Sequence, residues 1–202
     1  MGLERDCRVR LGRKVSEGRA LLESQEIVFR GEPRLRIPFA SIREIAVEDG
    51  VLAITHAGGI ARFELGAAAV TWAEKIRKPK SLLDKLGVKP GQRVAVIGVD
   101  DRAFLSDLRK RVDTVTLDQA PKNSDVIVFG AARVADLRKL GALRRSLVPN
   151  GMIWVTWPKG QAELKEDHVR AAALRQNLVD VKVASFSSAL SALKLVIPVA
   201  KR

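Results

Sequence analysis

The sequence predicts two domains of different class. Residues 1–78 are expected to form an α+β domain, a β-barrel with a C-terminal helix, and residues 79–202 a shortened α/β three-layer sandwich of the doubly wound kind. Three observations carry this. Residues 7–65 are a succession of short apolar runs broken by turn residues. From residue 81 onward, strand-like and helix-like patterns alternate. Between the two, Lys78-Pro79-Lys80 punctuates the chain, because Pro79 disfavours helix at the residue before it.

In the first part, strands are expected at Cys7–Leu11, Arg19–Leu22, Glu26–Arg30, Leu35–Phe39, Ile42–Val47, Val51–Thr55 and Ile60–Leu65. Gly12, Gly18, residues 31–33, Asp49-Gly50 and Gly58-Gly59 are the turns between them. Asp49-Gly50 and Gly58-Gly59 are hairpin pairs, since both dipeptides tolerate positive φ. Alternation is clearest in residues 60–65, where Ala61, Phe63 and Leu65 take one face and Ile60, Arg62 and Glu64 the other. A helix Ala67–Arg77 follows, with Trp72 and Ile76 four residues apart and placed to plug an open end of the strands.

In the second part, Ser81 is an N-cap with Asp84 as its capping-box partner, and Gly87 suits the exit of the helix Leu82–Leu86. Pro90-Gly91 leads into the strand Arg93–Ile97, then Gly98, a charged loop and a helix from Phe104 to Arg111. Strands Val112–Leu117 and Asp125–Phe129 come next, then a helix Val134–Leu147 with Leu137, Leu140, Leu143 and Leu147 on its apolar side. Pro149-Asn-Gly151 turns into the strand Met152–Thr156. Asp167 is the expected N-cap of a helix reaching Gln176, and Asn177 its left-handed exit. Strands Asp180–Ala184 and Ala192–Val199 close the chain, the last expected to insert antiparallel into a parallel sheet.

The 202 residues, 47% apolar and 29% charged, suit a globular protein with a real core. With no Tyr and 4% aromatics, a stacking platform for single-stranded nucleic acid is not expected. The lone Cys7 cannot form an internal disulfide, which suits a reducing compartment. The start MGLERDCRVRLGRK has no apolar h-region, and Asp6 stands where N-myristoylation wants Ser or Thr. The apolar runs are strand-sized and Lys194 interrupts the last, so no membrane span and a cytoplasmic location are expected. A formal charge of +13 favours acidic partners or gives a solvated basic surface.

The passage Arg34 to Phe39, then Ser41-Ile42-Arg-Glu-Ile45, Val51–Thr55 and Phe63-Glu-Leu65 resembles the pleckstrin-homology-like fold, in particular its small bacterial, GRAM-type versions. The resemblance implies docking of a protein or lipid. A phosphoinositide site there would use the first hairpin, where Arg10, Arg13, Lys14 and Arg19 lie with Glu17 among them. The order LGVKPGQRVAVIG, DVIVFG, LRRSLVPNGMIWV is similar to the Rossmann-like class I S-adenosylmethionine-dependent methyltransferases. KLGVKPGQRVAVIG, NGMIWVTWPKG, the acidic helix entry Glu166-Asp167 and the closing LKLVIP also resemble an uncharacterised bacterial domain-of-unknown-function family built on that fold.

The methyltransferase resemblance implies an acid on the strand followed by Gly-x-Gly-x-Gly. Here the acid position is Val96, the first glycine is Gly98, and Asp100 and Arg102 replace the other two. Only glycine lets main-chain N–H groups come close to the ligand. A carboxylate of Asp100 about 5 Å from the ligand carboxylate costs roughly 3 kcal/mol at an effective dielectric of about 20, more than two decades of affinity, unless it turns to the ligand's ammonium. Asp118 stands where the family has its ribose-binding acid, and a turn residue is an equal reading. Only QAPKNS separates Asp118 from Asp125, where the full fold has a helix and a strand that supply the adenine pocket.

Gly98, Asp100 and Asp118 are therefore the residues a cofactor would meet, S-adenosylmethionine being the possible one and none the expected one. His56 and His168 have no partners at metal-ligand spacing, so no metal is expected. Cys7 is read as a buried strand residue rather than a nucleophile. Arg138, Lys139, Arg144 and Arg145 crowd one helix, and Lys159 follows the strand that carries Trp154 and Trp157. Together they are the candidate anion or nucleic-acid patch, without a reading motif. The leading expectation is a non-catalytic docking module on a degenerate methyltransferase-like scaffold, binding a protein or another acidic macromolecule. The alternatives are a methyltransferase with a remodelled loop and a basic nucleic-acid-associated protein.

Overall fold

A computed structural model describes residues 3–201, so Met1 and Gly2, the pair weighed for acylation, lie outside the described residues. The chain divides into two compact units between Lys80 and Ser81.

The first unit contains β1 (Leu3–Leu11), β2 (Lys14–Leu22), β3 (Glu26–Arg30), β4 (Leu35–Pro38), β5 (Ile42–Glu48), β6 (Val51–His56), β7 (Gly59–Glu64) and α1 (Ala68–Arg77). The strands form one curled antiparallel sheet in the order β4-β3-β2-β1-β7-β6-β5. Period-two patterning explains the curl. Val9, Ala20, Ile27, Phe29, Leu52, Ile54, Ala61 and Phe63 all point to one core, which α1 joins with Ala69, Trp72, Ala73 and Ile76. Arg77 then fastens the end of α1 by donating to the carbonyl of Ile45 at 2.8 Å. Asp49 and Gly50 take the positive φ their turn requires.

The expected turn at Gly18 is corrected: Gly18 lies inside β2, opposite Cys7, and the first hairpin turns at Gly12-Arg13 instead. Gly18 is there for close approach. A Cβ on it would stand 2.6 Å from the Arg30 carbonyl oxygen and 2.9 Å from the Phe29 ring.

The second unit contains α2 (Leu82–Leu86), β8 (Arg93–Ile97), α3 (Arg102–Arg111), β9 (Thr114–Leu117), β10 (Ser124–Gly130), α4 (Leu140–Ser146), β11 (Leu147–Pro158), α5 (Glu166–Arg175), β12 (Val179–Ser185) and β13 (Leu190–Val196). They form a six-stranded mixed sheet in the order β12-β13-β11-β10-β8-β9. β8, β9, β10 and β11 run parallel, and β13 lies antiparallel between β11 and β12. One face packs Val94, Val96, Val126, Val128 and Trp154 against α2 and α3. The other packs Ala95, Ile127, Ile153 and Val155 against α4 and α5. Ser81 caps α2 through the predicted box with Asp84, and Gly87 leaves it at φ 76°.

Boundaries shift at several elements, with β1 beginning at Leu3, β2 at Lys14 and β9 at Thr114, and four further differences have a local cause. Residues 134–139 open the expected helix as a 3-10 turn, so α4 begins only at Leu140. β11 begins at Leu147, and the expected turn Pro149-Asn-Gly151 is a bulge inside it, since Ser124 pairs with Leu147 but Val126 with Met152. Pro149 has no N–H to give the ladder, which suits a bulge. α5 is capped at Lys165 rather than Asp167, because the ring Nδ1 of His168 accepts the Lys165 N–H at 3.1 Å. β13 ends at Val196, two residues before Pro198, which has no N–H for the ladder.

Candidate functional site

In an open α/β sheet, a ligand sits beyond the carboxyl ends of the strands, where successive crossovers leave on opposite faces. Here that point lies between β8 and β10: α3 follows β8 on one face, and α4 precedes β11 on the other. The local sequence builds it well. β8 ends in Gly98 at φ 64°, Val99 is buried, and Asp101 caps α3 by accepting the Phe104 N–H at 2.9 Å.

Two main-chain segments approach closely at this point. A Cβ added to Gly130, the last residue of β10, would lie 2.0 Å from the carbonyl oxygen of Gly98, and one added to Gly98 would lie 3.2 Å from that of Gly130. The two glycines allow the loop after β8 to rest on the end of β10. The side chain at the family's acid position, Val96, is 2% exposed within the core.

Asp100 and Asp118 belong to this same end of the sheet and are exposed. Asp118 adopts φ 60°, and its N–H donates to the Val96 carbonyl at 2.8 Å, which fixes the exit of β9. Residues 118–123 then return to the start of β10 without a helix. Leu117 pairs with Val96, and Ser124 begins two residues below Val126, the partner of Val94. The descent is four residues, about 13 Å, with about 10 Å sideways across two strand spacings. The diagonal of about 16 Å fits within the 23 Å or so that seven Cα steps can reach. Ala120 packs against the core on the α4–α5 side as the segment crosses. A strip of chain therefore lies where a crossover helix would, and β9 becomes the sheet edge with Leu117 40% exposed.

The expected basic patch does not assemble as one surface. Arg138 and Lys139 are exposed in the 3-10 turn, Arg145 is exposed in α4, and Arg144 is half-buried there with its Nε unpartnered. Lys159 follows the far end of β11 from Arg144 and Arg145. Its ammonium is committed to Ser185 Oγ at 2.8 Å and the Ser187 carbonyl at 2.7 Å. Arg138 lines a groove of about 360 Å³ with Val134, Leu137, Ala172 and Arg175. In the first unit, a groove of about 250 Å³ is lined by Phe39, Ile42, Arg43, Ile45, Ile76 and Arg77.

No group of three or more potential ligands that could hold a metal exists among the described residues. His56 Nδ1 accepts the Gly58 N–H at 3.2 Å in its own turn. Cys7 is half-buried, and burial pushes its thiol above the ordinary range, which disfavours the nucleophilic thiolate. Among the described residues, no helix is long and apolar enough to cross a membrane.

One cluster escaped the sequence reading. Lys182 on β12 and Lys194 on β13 are direct cross-strand partners, and Lys182 reaches the Lys85 carbonyl in α2. The available signal was a single lysine in each of two apolar strands, VDVKVAS and LSALKLV.

No protein-family model matches the chain, and no curated protein matches it in sequence. Solved structures similar to it include a SAM-dependent methyltransferase from Aquifex aeolicus, at 15% identity and TM-score 0.46, over 58% of this chain and 88% of that one. A SAM-dependent methyltransferase from Leishmania major is similar at 15% identity and TM-score 0.43, over 55% and 68%. Magnesium protoporphyrin IX methyltransferase from Synechocystis is similar at 11% identity and TM-score 0.41, over 57% and 74%. At these values the likenesses assign no chemistry to this chain.

Proposed function

We propose that the protein is a two-domain docking protein, with a pleckstrin-homology-like module over residues 1–78 and a degenerate methyltransferase-like scaffold over residues 79–202. The observation that carries the scaffold reading is the contact between Gly98 and Gly130 at the switch point. The helix-free return from Asp118 to Ser124 supports it, because the segment that would wall an adenine pocket is reduced to one strip of chain. The docking reading of the first unit is supported by its seven-strand order and by α1, whose Trp72 and Ile76 enter the same core. Its partner is an acidic protein surface, given the charge of +13.

A second reading, a methyltransferase with a remodelled loop, is favoured by one feature: Gly98 keeps its left-handed conformation, and two exposed carboxylates, Asp100 and Asp118, stand at the same strand ends. The two readings separate in a calorimetric and thermal-shift titration with S-adenosylmethionine and S-adenosylhomocysteine, with Gly98→Trp and Asp118→Ala alongside. The scaffold reading expects no saturable heat at millimolar ligand. Saturable binding that both variants abolish overturns it. A third reading, nucleic-acid association through Arg138, Lys139, Arg144 and Arg145, expects retention on DNA or RNA that falls steeply with salt. No retention at low salt ends it.

A further inference from the structure

At one edge of the second unit's sheet, the register of β12 and β13 sets Lys182 directly opposite Lys194. Directly opposed residues of an antiparallel pair point to one face with their Cβ atoms about 5 Å apart, and like charges there are unfavourable. The face is the one that holds Trp154 and Ala192, since Lys194 is also the cross-strand partner of Trp154. Trp154 anchors α2 to this face: its indole N–H donates to the Leu86 carbonyl at 2.8 Å. One residue earlier, the Lys85 carbonyl accepts the ammonium of Lys182 at 3.3 Å. Lys182 thus faces Lys194 across the strand pair and touches the main chain of α2 at Lys85, whose amine its charge also reaches.

The surrounding acids are spent elsewhere. Asp84 of α2 is bound by Ser81 and Arg111. Asp107 of α3 pairs with Lys110. Asp180 of β12 is held by Arg170 of α5, on the opposite face. Among the described residues, none of the three lysines has an ion pair. Burial first, and the charge of Lys182 second, hold the amines of Lys85 and Lys194 below the ordinary lysine range.

We infer that Lys85, Lys182 and Lys194 form a binding site for a compact phosphate-type oxyanion. Three ammonium groups supply point charges and rotatable N–H donors of the kind phosphate takes. Partial burial strengthens that attraction relative to open water. A bound anion also offsets the repulsion between the facing lysines. The occupant is compact rather than a nucleic acid strand, because α4, which carries Arg144 and Arg145, packs on the other face of the sheet. A polyanion would find no continuous basic track. The site is separate from the strand ends and does not depend on whether a cofactor binds there.

The test is calorimetric titration with pyrophosphate at low ionic strength and about pH 8, where lysine side chains are ordinarily protonated. The expected result is saturable one-to-one binding that weakens as salt is added. Lys182→Met and Lys194→Met each weaken binding at least about tenfold, and Lys159→Met leaves it unchanged. Both lysine variants retain the aliphatic stem, so thermal unfolding checks that they are folded. The inference is overturned by the absence of saturable binding at millimolar pyrophosphate, or by unchanged affinity in both lysine variants. It is equally overturned if a single-stranded oligonucleotide binds through Lys182 while pyrophosphate does not.

Discussion

Two places on the second unit's sheet behave in opposite ways. At the carboxyl ends of β8 and β10, where a doubly wound fold holds its ligand, Gly98 and Gly130 bring main chain against main chain. At the β12–β13 edge, Lys182 and Lys194 face each other without an ion pair, and Lys182 reaches the main chain of Lys85. The first place has the topology of a ligand site and a close main-chain approach. The second has facing cations without an ion pair. Topology alone therefore does not locate a ligand, because a crevice also needs its walls. Here residues 118–123 return to β10 without a helix.

The largest expected effect joins the two places. Trp154 is fully buried on the α2–α3 face of β11, beside β10, and holds α2 through the Leu86 carbonyl next to the one Lys182 reaches. Trp154→Ala is expected to cost about 3–5 kcal/mol in urea unfolding and to abolish pyrophosphate binding by releasing α2. Normal binding in a destabilised variant would separate the cluster from α2.

The closed end gives the next effect. Gly130→Ala puts a methyl group 2.0 Å from the Gly98 carbonyl and must part the loops. A loss of about 1–3 kcal/mol is expected in thermal unfolding. A variant as stable as the parent would mean the crevice opens freely, and the methyltransferase reading would gain.

The open edge predicts the opposite sign. Lys182→Met removes one of two directly opposed cations and should stabilise the ligand-free protein by up to about 1 kcal/mol. The gain should shrink as pyrophosphate is added to both proteins. A loss in the ligand-free variant would show that Lys182 serves α2 through the Lys85 carbonyl more than it repels Lys194.

The smallest effect concerns the entry to α2. The Ser81 hydroxyl first, and the Arg111 guanidinium second, hold the Asp84 carboxyl down to about 2. A folded-state pKa below the unfolded one gives stability that is present above about pH 4 and lost as pH falls towards about pH 2. Asp84→Asn should flatten the acid limb of stability against pH in that window, lowering stability at neutral pH and converging with the parent as pH falls towards about 2. Because the carboxylate is exposed, salt should diminish the difference. An identical acid limb in both proteins would remove Asp84 from the account.

Much of the architecture was legible in residues 7–65 and 81–97 because turn chemistry and apolar period are local. Asp49-Gly50 turns a hairpin, and Ser81, Asp84 and Gly87 bound α2 as their types require. Gly18 misled because a glycine in a strand and a glycine in a turn look alike until Phe29 is seen packed against it. Lys165 escaped as the cap of α5 because a histidine ring, not a carboxylate, answers its N–H. The anion patch was drawn from nearness in sequence. Arg144-Arg145 and Lys159 lie at opposite ends of a 12-residue strand, which no count of positive charge along the chain can reveal.

By itself the sequence determined the two-part organisation, the strand-rich first part, the alternating second part and the short connection after Asp118. All of these follow from periodicity, turn residues and segment length, which act over a few residues. Only the tertiary structure decided that Gly98 meets Gly130, that Lys159 is already satisfied, and that Lys182 faces Lys194. Each depends on the register and crossover of distant elements, as with Lys182 and the Lys85 carbonyl, 97 residues apart. Contacts of that kind are set by which faces must be buried together, and a pattern read along the chain does not contain them.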